Sequence, residues 1–330
     1  MIAGGGWIGC DHVDSKSTQL GATPGPPTIL IGAITPEHSS RPVYLVGGDI
    51  LTVSWSDIQR ERLRALGAVA PTIEAHFDDV SSRNTAFQRF EKELVTEQKR
   101  RLQELRDGAR RTKLSLLESR LTGALVDNGF VQVATPTIMS KGLLARMSID
   151  ANHPLSSQVF WLDDKTCLRP MLAPHLYYVL KDLLRLWEKP VRIFEAGSCF
   201  RKESSGARHS TEFTMLNLVE MGLELESRES RLKELATLIV EAAGIDEHEL
   251  QTEESTIYGQ TIDIVAGEGR VELGSAAMGP HPLDQPWRIA EPWVGIGFGL
   301  ERLLMVAEGS ESLGRVGRSL AYLNGVPLNI

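Results

Sequence analysis

The sequence predicts an α+β fold in which a largely antiparallel sheet is flanked by helices and preceded by an N-terminal helical segment. Leucines recur at three- and four-residue spacing between residues 102 and 125, which is typical of helix. Segments of alternating polar and apolar residues begin after Gly129. Helical segments are inserted singly among these strands, an order that favours α+β over a regular βαβ arrangement.

The bulk composition indicates a cytoplasmic globular protein. The chain has 330 residues and a net charge of −8, which argues against a surface devoted wholly to nucleic acid but leaves room for a local basic patch. Its three cysteines show no CxxC spacing, so neither a disulfide scaffold nor a structural zinc site is expected. No apolar run approaches the roughly 18 residues of a membrane span, and no cation precedes Lys16 as a secretory signal would require.

Three regions are predicted along the chain. Residues 1–50 contain "GGGWIG" and "GATPGPP", which are turn and loop sequences, and we expect a leader of low order and unknown role. Residues 51–126 form the helical segment, with Ser56 as a candidate N-cap. Residues 127–330 form the strand-rich domain.

The helical segment carries a dense group of cations. A solvated helix face would account for them, and so would a surface that contacts phosphate backbones. The sequence alone leaves both interpretations open. The cations are Lys99, Arg100, Arg101, Arg106, Arg110, Arg111 and Lys113.

The strand-rich domain begins with "FVQVATPTIMS", a strand interrupted at Pro136, and "VFWLDDKTCLRP", a second strand. "MLAPHLYYVLKDLLRLWEK" predicts an amphipathic helix entered through Pro174. "VRIFEAGSCFR" and "TEFTMLNLVEMG" predict strands on either side of a hairpin. A helix that ends at Gly244, two further strands, and a glycine-rich strand leading into a helix at Leu300 complete the order.

The hairpin and its second strand contain the first group of candidate functional residues. Arg201, Glu203, Arg208 and His209 surround a Ser-Ser-Gly turn, which is either a salt-bridged surface turn or an anion site. Strand periodicity places a set of residues on one face, which we interpret as a pocket wall. An isolated Asn in such a set is more often a structural hydrogen-bonding residue. The set is Phe213, Met215, Asn217, Val219 and Met221.

A second group lies near the end of the chain. Gly295, Gly297 and Gly299 leave one strand face bare, so that a flat ligand or a close-packed neighbouring strand could lie there. Arg302 follows in the first turn of a helix, where backbone N–H groups favour phosphate. Glu272 and Ser275 offer oxygen ligands suited to Mg²⁺. Together these residues indicate a nucleotide held between two arginines with a metal.

These segments resemble the class II aminoacyl-tRNA synthetases. "FRKES" followed by "HSTEFTMLN" has the form of the second class motif, "GFGLERLL" of the third, and "TPTIMS" of the first, dimer-forming motif. "CLRPMLAPHLY", "VELGSAAMGP", "EPWVGIGFGLERLL" and the tail "RSLAYLNGVPLNI" are similar to pyrrolysyl-tRNA synthetases in particular. The resemblance covers roughly residues 52 to 330 and makes residues 127–330 the class II catalytic domain.

The resemblance implies an ATP-dependent ligase that adenylates pyrrolysine, an Nε-acyl-lysine, and transfers it to the 3′ end of its cognate tRNA. Arg201 would hold the α-phosphate and Arg302 the γ-phosphate, and these two carry the catalysis. Glu203 would contact the adenine amino group, His209 the triphosphate side, and Phe213 would stack on adenine. Glu272 and Ser275 would hold Mg²⁺.

The resemblance also implies an amino-acid pocket without any Asp or Glu, where a lysine ammonium would be costly to bury. Asn217 would donate its amide N–H to the acyl carbonyl. Val219, His175, Ser210 and Gln260 depart from the usual family residues and leave the choice of acyl-lysine open. The pocket residues are Ala173, Leu176, Tyr177, Leu180, Met215, Asn217, Val219, Tyr258, Ala277 and Trp293.

The expected partners are an amber-suppressor type tRNA, a second copy in a homodimer formed around Pro136, and a separate tRNA-binding subunit, as in the bacterial arrangement. The basic helix and the C-terminal arginines Arg315 and Arg318 would contact the tRNA.

Two alternatives stay open. The chain could be a paralogue that adenylates another amino acid or modifies a non-tRNA acceptor. A catalytically silent tRNA-binding protein is disfavoured, because the nucleotide-site residues are all present.

Overall fold

A computed structural model describes residues 52–202, 210–267, 269–310 and 312–330. The predicted leader, and Glu203, Arg208 and His209 of the hairpin, lie outside the described residues. The α-helices are α1 (Asp57–Ala65), α2 (Ala70–Ile73), α3 (Val80–Glu104), α4 (Lys113–Asp127), α5 (Lys141–Arg146), α6 (Ala173–Leu186), α7 (Arg228–Ala242), α8 (Leu300–Ala307) and α9 (Leu313–Val316).

The strands fall into one large sheet and three small two-stranded ones. They are β1 (Val53–Ser54), β2 (His76–Phe77), β3 (Val131–Gln132), β4 (Ile138–Ser140), β5 (Thr166–Leu168), β6 (Val191–Phe200), β7 (Glu212–Met221), β8 (Glu249–Ser255), β9 (Gly259–Ala266), β10 (Val271–Gly279), β11 (Trp293–Gly299), β12 (Tyr322–Leu323) and β13 (Val326–Pro327).

The large sheet has the strand order β3-β6-β7-β11-β10-β9-β8. β3 is parallel to β6, and every other pair is antiparallel. The predicted α+β fold with a largely antiparallel sheet is therefore confirmed. Within the large sheet, edge strand β8 is the one that the sequence analysis did not predict, because "ELQTEES" is polar and all of its side chains are exposed or half-exposed.

The helical segment before the sheet is divided where the sequence predicted a continuous stretch. α3 ends at Glu104 and passes into a π-helical turn over Leu105–Ala109. Arg110 then adopts the left-handed conformation, with φ of 52°, and Thr112 caps α4 by accepting from the N–H of Ser115. The leucine repeat cannot reveal such a break, since its spacing is compatible with helix on both sides.

The large sheet separates two apolar clusters. Leu216 and Leu218 of β7 pack with α4, α7 and α8 on one face. Val219 and Met221 pack on the other face with α6 and with the segments around β4 and β5. Alternate side chains of a strand thus belong to different layers, and the second layer contains the site described below.

Residues Leu51–Ile330 form one compact unit. Leu117, Leu121 and Leu125 of α4 are fully buried in its core, so this helix packs with the sheet. The division at residue 126 stays a prediction. Among the described helices, none has the length and apolar content needed to cross a membrane.

Candidate active site

A cavity of ≈ 340 Å³ lies over the face formed by β7, β11 and β10. α6 and the loop between β8 and β9 enclose one end of it. Most of the predicted site residues line this single cavity: Ala173, Tyr177, Leu180, Arg201, Phe213, Met215, Asn217, Val219, Tyr258, Glu272, Ser275, Ala277, Trp293 and Arg302.

One predicted pocket residue has a different position. Leu176 is completely buried and packs in the apolar cluster behind the wall, without contributing to the cavity surface. Helical spacing places Leu176, Tyr177 and Leu180 near one another, but only neighbouring elements decide which of them reaches the opening. Glu203 and His209 lie outside the described residues.

Strand register orders the cavity into two ends. Met215 pairs with Gly299, Asn217 with Gly297, and Val219 with Gly295. At about 3.3 Å per residue, Phe213 and Asn217 are separated by roughly 13 Å along β7. Phe213 and the start of α8 therefore mark one end of an elongated cleft, and Asn217 lies toward the other.

Gly297 and Gly299 of β11 leave space, whereas a Cβ at Gly295 would lie 3.3 Å from the ring of Trp293. A Cβ at Gly297 would meet only the sulfur of Met215, at 3.9 Å. Close strand packing, the alternative considered above, applies instead to Gly274 of β10, where a Cβ would lie 2.5 Å from the carbonyl oxygen of Gly297. The bare face of β11 is consequently open to a ligand.

The first end of the cleft contains two arginines. Arg201 donates from Nε to the carbonyl of Pro170 at 2.9 Å, and its guanidinium lies 5.4 Å from the ring centroid of Phe213. Arg302 pairs with Glu272, with 3.1 Å between Nη1 and Oε2. A guanidinium beside an aromatic face suits a planar, anionic ligand such as a nucleotide.

Glu272 and Ser275 both face this end, on either side of a bulge between Glu272 and Gly274. A carboxylate and a hydroxyl are hard oxygen donors of the kind that Mg²⁺ accepts. Within the described residues, no group of three or more His, Cys, Asp and Glu side chains is placed to hold a metal. Mg²⁺ in nucleotide sites commonly takes one or two protein carboxylates and completes its shell with phosphate oxygens and water.

At the other end Asn217 is 8% exposed and lines the cavity. Its Nδ2 donates to the carbonyl of Ile296 at 3.0 Å, which fixes the amide plane against β11. The structural hydrogen bond considered in the sequence analysis is therefore present and joins Asn217 to strand β11. Nδ2 also lies 3.4 Å from the carbonyl oxygen of Leu218. That contact is long and therefore weak, so a ligand acceptor can displace it and take the second N–H of the amide.

The aromatic walls of this end are held by a residue that the sequence analysis missed. Asp284, 2% exposed, accepts from the Tyr177 hydroxyl at 3.0 Å and from Nε1 of Trp293 at 2.9 Å. Burial raises the pKa of the Tyr177 hydroxyl, and also that of Tyr258, so both stay protonated, and Tyr177 is the donor to Asp284. Asp284 does not line the cavity and no motif marks it, which explains why it escaped notice.

A family profile described as "tRNA synthetases class II core domain (F)" matches residues 99–319. The chain belongs to the class II aminoacyl-tRNA synthetases. It is similar to the crystal structure of pyrrolysyl-tRNA synthetase from Desulfitobacterium hafniense, with 54% identity, a TM-score of 0.78, and coverage of 84% of this chain and 99% of that one. A second structure of the pyrrolysyl enzyme from that organism gives 52% identity, a TM-score of 0.76, and coverage of 87% and 100%. Within the class, the chain is a member of the pyrrolysyl-tRNA synthetase family.

More distant relatives share only a part of this synthetase. Threonine--tRNA ligase of Wolbachia pipientis is 30% identical over 105 residues, which is 30% of this chain. A Wolbachia relative from Brugia malayi gives the same figures. The matched region spans 16% of the length of these curated relatives. They therefore agree with the class of the synthetase and carry no argument about its amino acid.

The C-terminal arginines of the synthetase make internal contacts. Arg318 donates to Thr214 Oγ1 at 2.6 Å and to Glu301 Oε1 at 3.0 Å, and Glu301 lines the end of the cavity that contains Arg201 and Arg302. Burial raises the pKa of Glu301, while hydrogen bonds from Thr214 and the charge of Arg318 oppose that rise. Arg315 donates to the carbonyls of Arg64 and Ala65. These guanidinium groups hold the tail in place, and their expected role as tRNA contacts stays a prediction.

The basic helix of the synthetase is partly neutralised by its own side chains. Arg100 pairs with Glu97 and Glu104, and Lys113 with Glu308. Arg101 donates to Gln98, Arg111 donates to Ser115 and Ser119, and Arg106 lies 3.7 Å from Asp107. Within the described part of the chain, Lys99 and Arg110 are exposed and form no ion pair. These two are the best placed of the seven predicted cations to meet a phosphate.

Proposed function

We propose that this synthetase adenylates pyrrolysine, or a closely related Nε-acyl-lysine, with ATP and Mg²⁺ and transfers it to the 3′ end of its tRNA. The observation that carries the proposal is Asn217, a nearly buried amide in an apolar end of the cavity. Among the described residues, the acidic side chains that line the cavity are Glu272 and Glu301, and both belong to the end with the arginines. A lysine ammonium would therefore lack a counter-charge, whereas an acyl carbonyl can accept from an amide N–H.

The charge distribution supports the assignment of the nucleotide to the other end. Arg201 is positioned over Phe213, where it can hold a phosphate while adenine stacks on the ring. Arg302 can receive a second phosphate once it leaves Glu272. Magnesium, held by Glu272 and Ser275, would supply neutralisation of the triphosphate charge.

The reaction requires positioning rather than a protein nucleophile. The amino-acid carboxylate attacks the α-phosphorus and pyrophosphate leaves, while Arg201 stabilises charge on the α-phosphoryl oxygens. The strand register supports this division of the cleft, because Phe213 and Asn217 lie on one strand at the spacing of a nucleotide and a long side chain. The tRNA hydroxyl then attacks the acyl carbon and releases AMP.

The partners are part of the proposal. An amber-suppressor type tRNA would meet the exposed cations Lys99 and Arg110, and a homodimer formed around Pro136 would be the active form in the cytoplasm. A separate tRNA-binding subunit would supply further phosphate contacts. Filter binding of tRNA at two salt concentrations tests the cations. Lys99→Glu and Arg110→Glu should each reduce the slope of log binding constant against log salt concentration by about one, the value for one lost phosphate contact. An unchanged slope would remove the helix from the interface.

ATP–pyrophosphate exchange tests the amino acid. Purified protein is assayed with lysine, pyrrolysine, other Nε-acyl-lysines and phenylalanine. Exchange with pyrrolysine and not with lysine is the expected result. Exchange with a different amino acid alone would keep the class and reject the proposed substrate, and charging of a non-tRNA acceptor would favour the paralogue alternative.

A further inference from the structure

The triplet His-Pro-Leu occurs twice in the chain, at residues 153–155 and 281–283. Each copy starts a 3-10 helix, over Pro154–Gln158 and Pro282–Trp287. In each copy the histidine is the N-cap. His153 Nδ1 accepts from the N–H of Leu155 at 3.2 Å, and His281 Nδ1 accepts from the N–H of Leu283 at 3.1 Å.

The second ring nitrogens of these histidines converge on one loop. Nε2 of His281 lies 2.9 Å from the carbonyl oxygen of Tyr258, and Nε2 of His153 lies 3.3 Å from that of Thr256. A carbonyl only accepts, so each Nε2 must carry the proton, and each Nδ1, which accepts from an amide, must not. The two rings therefore share the same arrangement of donor and acceptor nitrogens, set by their hydrogen bonds.

The loop that they contact covers the amino-acid end of the cavity. Its residues Thr256, Ile257 and Tyr258 all line the cavity. The other backbone hydrogen bonds of this loop are local, from the N–H groups of Ile257 and Tyr258 to Ser255 Oγ and from Gln260 to the Tyr258 carbonyl. The Tyr258 side chain also has a hydrogen bond with the Tyr177 side chain. The two imidazoles thus tie it to distant parts of the chain.

The turn that begins at His281 also holds the opposite walls. Asp284 accepts from the backbone N–H of His281 at 2.6 Å as well as from Tyr177 and Trp293. One short turn consequently contacts all three aromatic walls, Tyr177, Tyr258 and Trp293. Neither His281 nor Asp284 lines the cavity, so neither can be identified by contact with a ligand.

We propose that His153 and His281 act as positioning residues that hold the Thr256–Tyr258 loop closed over the amino-acid side chain. His281 also links this loop, through Asp284, to the aromatic walls Tyr177 and Trp293. The amino acid in question is the one of the proposed function. The clamp itself is a property of the ligand-free chain. Its loss raises the KM for the amino acid, while ATP, bound at the other end, is little affected.

His281→Asn separates capping from clamping. Asn is among the best N-cap residues, so the 3-10 helix keeps its cap, but the shorter side chain cannot reach Tyr258. In hydrogen exchange on the ligand-free protein, peptides spanning residues 255–260 should exchange at least about threefold faster than in the unsubstituted protein. The KM for the Nε-acyl-lysine should rise about five- to tenfold, as for one lost hydrogen bond, with the KM for ATP within about twofold.

His153→Asn preserves the other cap, cuts the contact with Thr256, and should accelerate exchange in the same peptides. His76→Asn, at an exposed histidine of β2, is the matched control and should change nothing. Unchanged loop exchange in either clamp variant overturns the two-histidine clamp, and so does an equal rise in both KM values. If the unsubstituted protein shows no ATP–pyrophosphate exchange with any acyl-lysine, the proposed function fails. Hydrogen exchange on the loop peptides still decides whether the clamp exists.

Discussion

Arg302 and Glu272 form an ion pair across the nucleotide end of the cleft, with Nη1 of Arg302 3.1 Å from Oε2 and 3.2 Å from the carbonyl oxygen of Glu272. The side chains are 30% and 47% exposed, so the pair contributes little to stability. The proposed function assigns Arg302 to a phosphate and Glu272 to Mg²⁺. Ligand binding would then replace one weak internal pair by two contacts with the ligand.

Glu272→Gln should reduce ATP–pyrophosphate exchange by about 100-fold and raise the magnesium concentration needed for half-maximal rate, because a neutral amide is a poorer Mg²⁺ ligand. The thermal midpoint should stay nearly unchanged. Glu249→Gln is the matched control, since Glu249 also pairs with an arginine, Arg270, at an exposed position of the same sheet. A magnesium titration that coincides with that of the unsubstituted protein would contradict the role of Glu272.

Asn217→Ala should lower kcat/KM for an Nε-acyl-lysine by about 2 kcal/mol, roughly 30-fold, as expected when a buried polar contact is lost. The KM for ATP should change little, because the nucleotide binds at the other end. Pyrophosphate exchange with varied amino acid and varied ATP separates the two effects. Equal losses on both substrates would mean that Asn217 acts mainly through its bond to Ile296.

Gly297→Ala and Gly274→Ala should have opposite consequences. A Cβ at Gly297 would enter the cleft 3.9 Å from Met215, so the fold should persist. ATP–pyrophosphate exchange activity should drop about tenfold or more, because the added methyl group obstructs the ligand. A Cβ at Gly274 would lie 2.7 Å from the ring of Phe298 and even closer to backbone, so we expect about 1–3 kcal/mol of destabilisation. Thermal unfolding and ATP–pyrophosphate exchange, measured on both variants, test the two expected results. Full activity in Gly297→Ala would place the ligand elsewhere.

His175 predicts a pH dependence of stability. Desolvation lowers the pKa of His175 below the ordinary value of 6.5. The charge of nearby Arg169 lowers this pKa further, and the charge of Glu195 raises it by a smaller amount. The unfolded chain therefore binds this proton more readily than the folded one. The contribution of neutral His175 is fully present above pH 6.5 and is lost as the pH falls through the folded-state pKa.

His175→Asn should accordingly flatten the stability curve on the acid side. Denaturant unfolding at pH 8, 7, 6 and 5 should show the free energy of unfolding of the unsubstituted protein falling more steeply below pH 6.5 than that of the variant. Parallel curves would show that Thr135, whose hydroxyl lies 3.2 Å from Nδ1 of His175, accommodates the charged ring without cost.

Much of the cleft was predictable because a strand has a period of two. Met215, Asn217 and Val219 had to share a face, and Gly295, Gly297 and Gly299 had to leave one bare, whatever the rest of the chain does. The helix start at Leu300 places Arg302 in its first turn by the same local reasoning. These are relationships between residues a few positions apart, and backbone geometry alone enforces them.

Only the tertiary structure decided the contacts between residues that are far apart in the chain. The sequence by itself determined which side chains of β7 and β11 share a face and their order along it. It could not show that Asp284 meets Tyr177 across 107 positions, that Leu176 packs behind the wall, or that Arg318 turns inward to Glu301. Those outcomes depend on which elements pack together, and burial of a charge or a hydroxyl is favourable only when the folded chain brings it a partner.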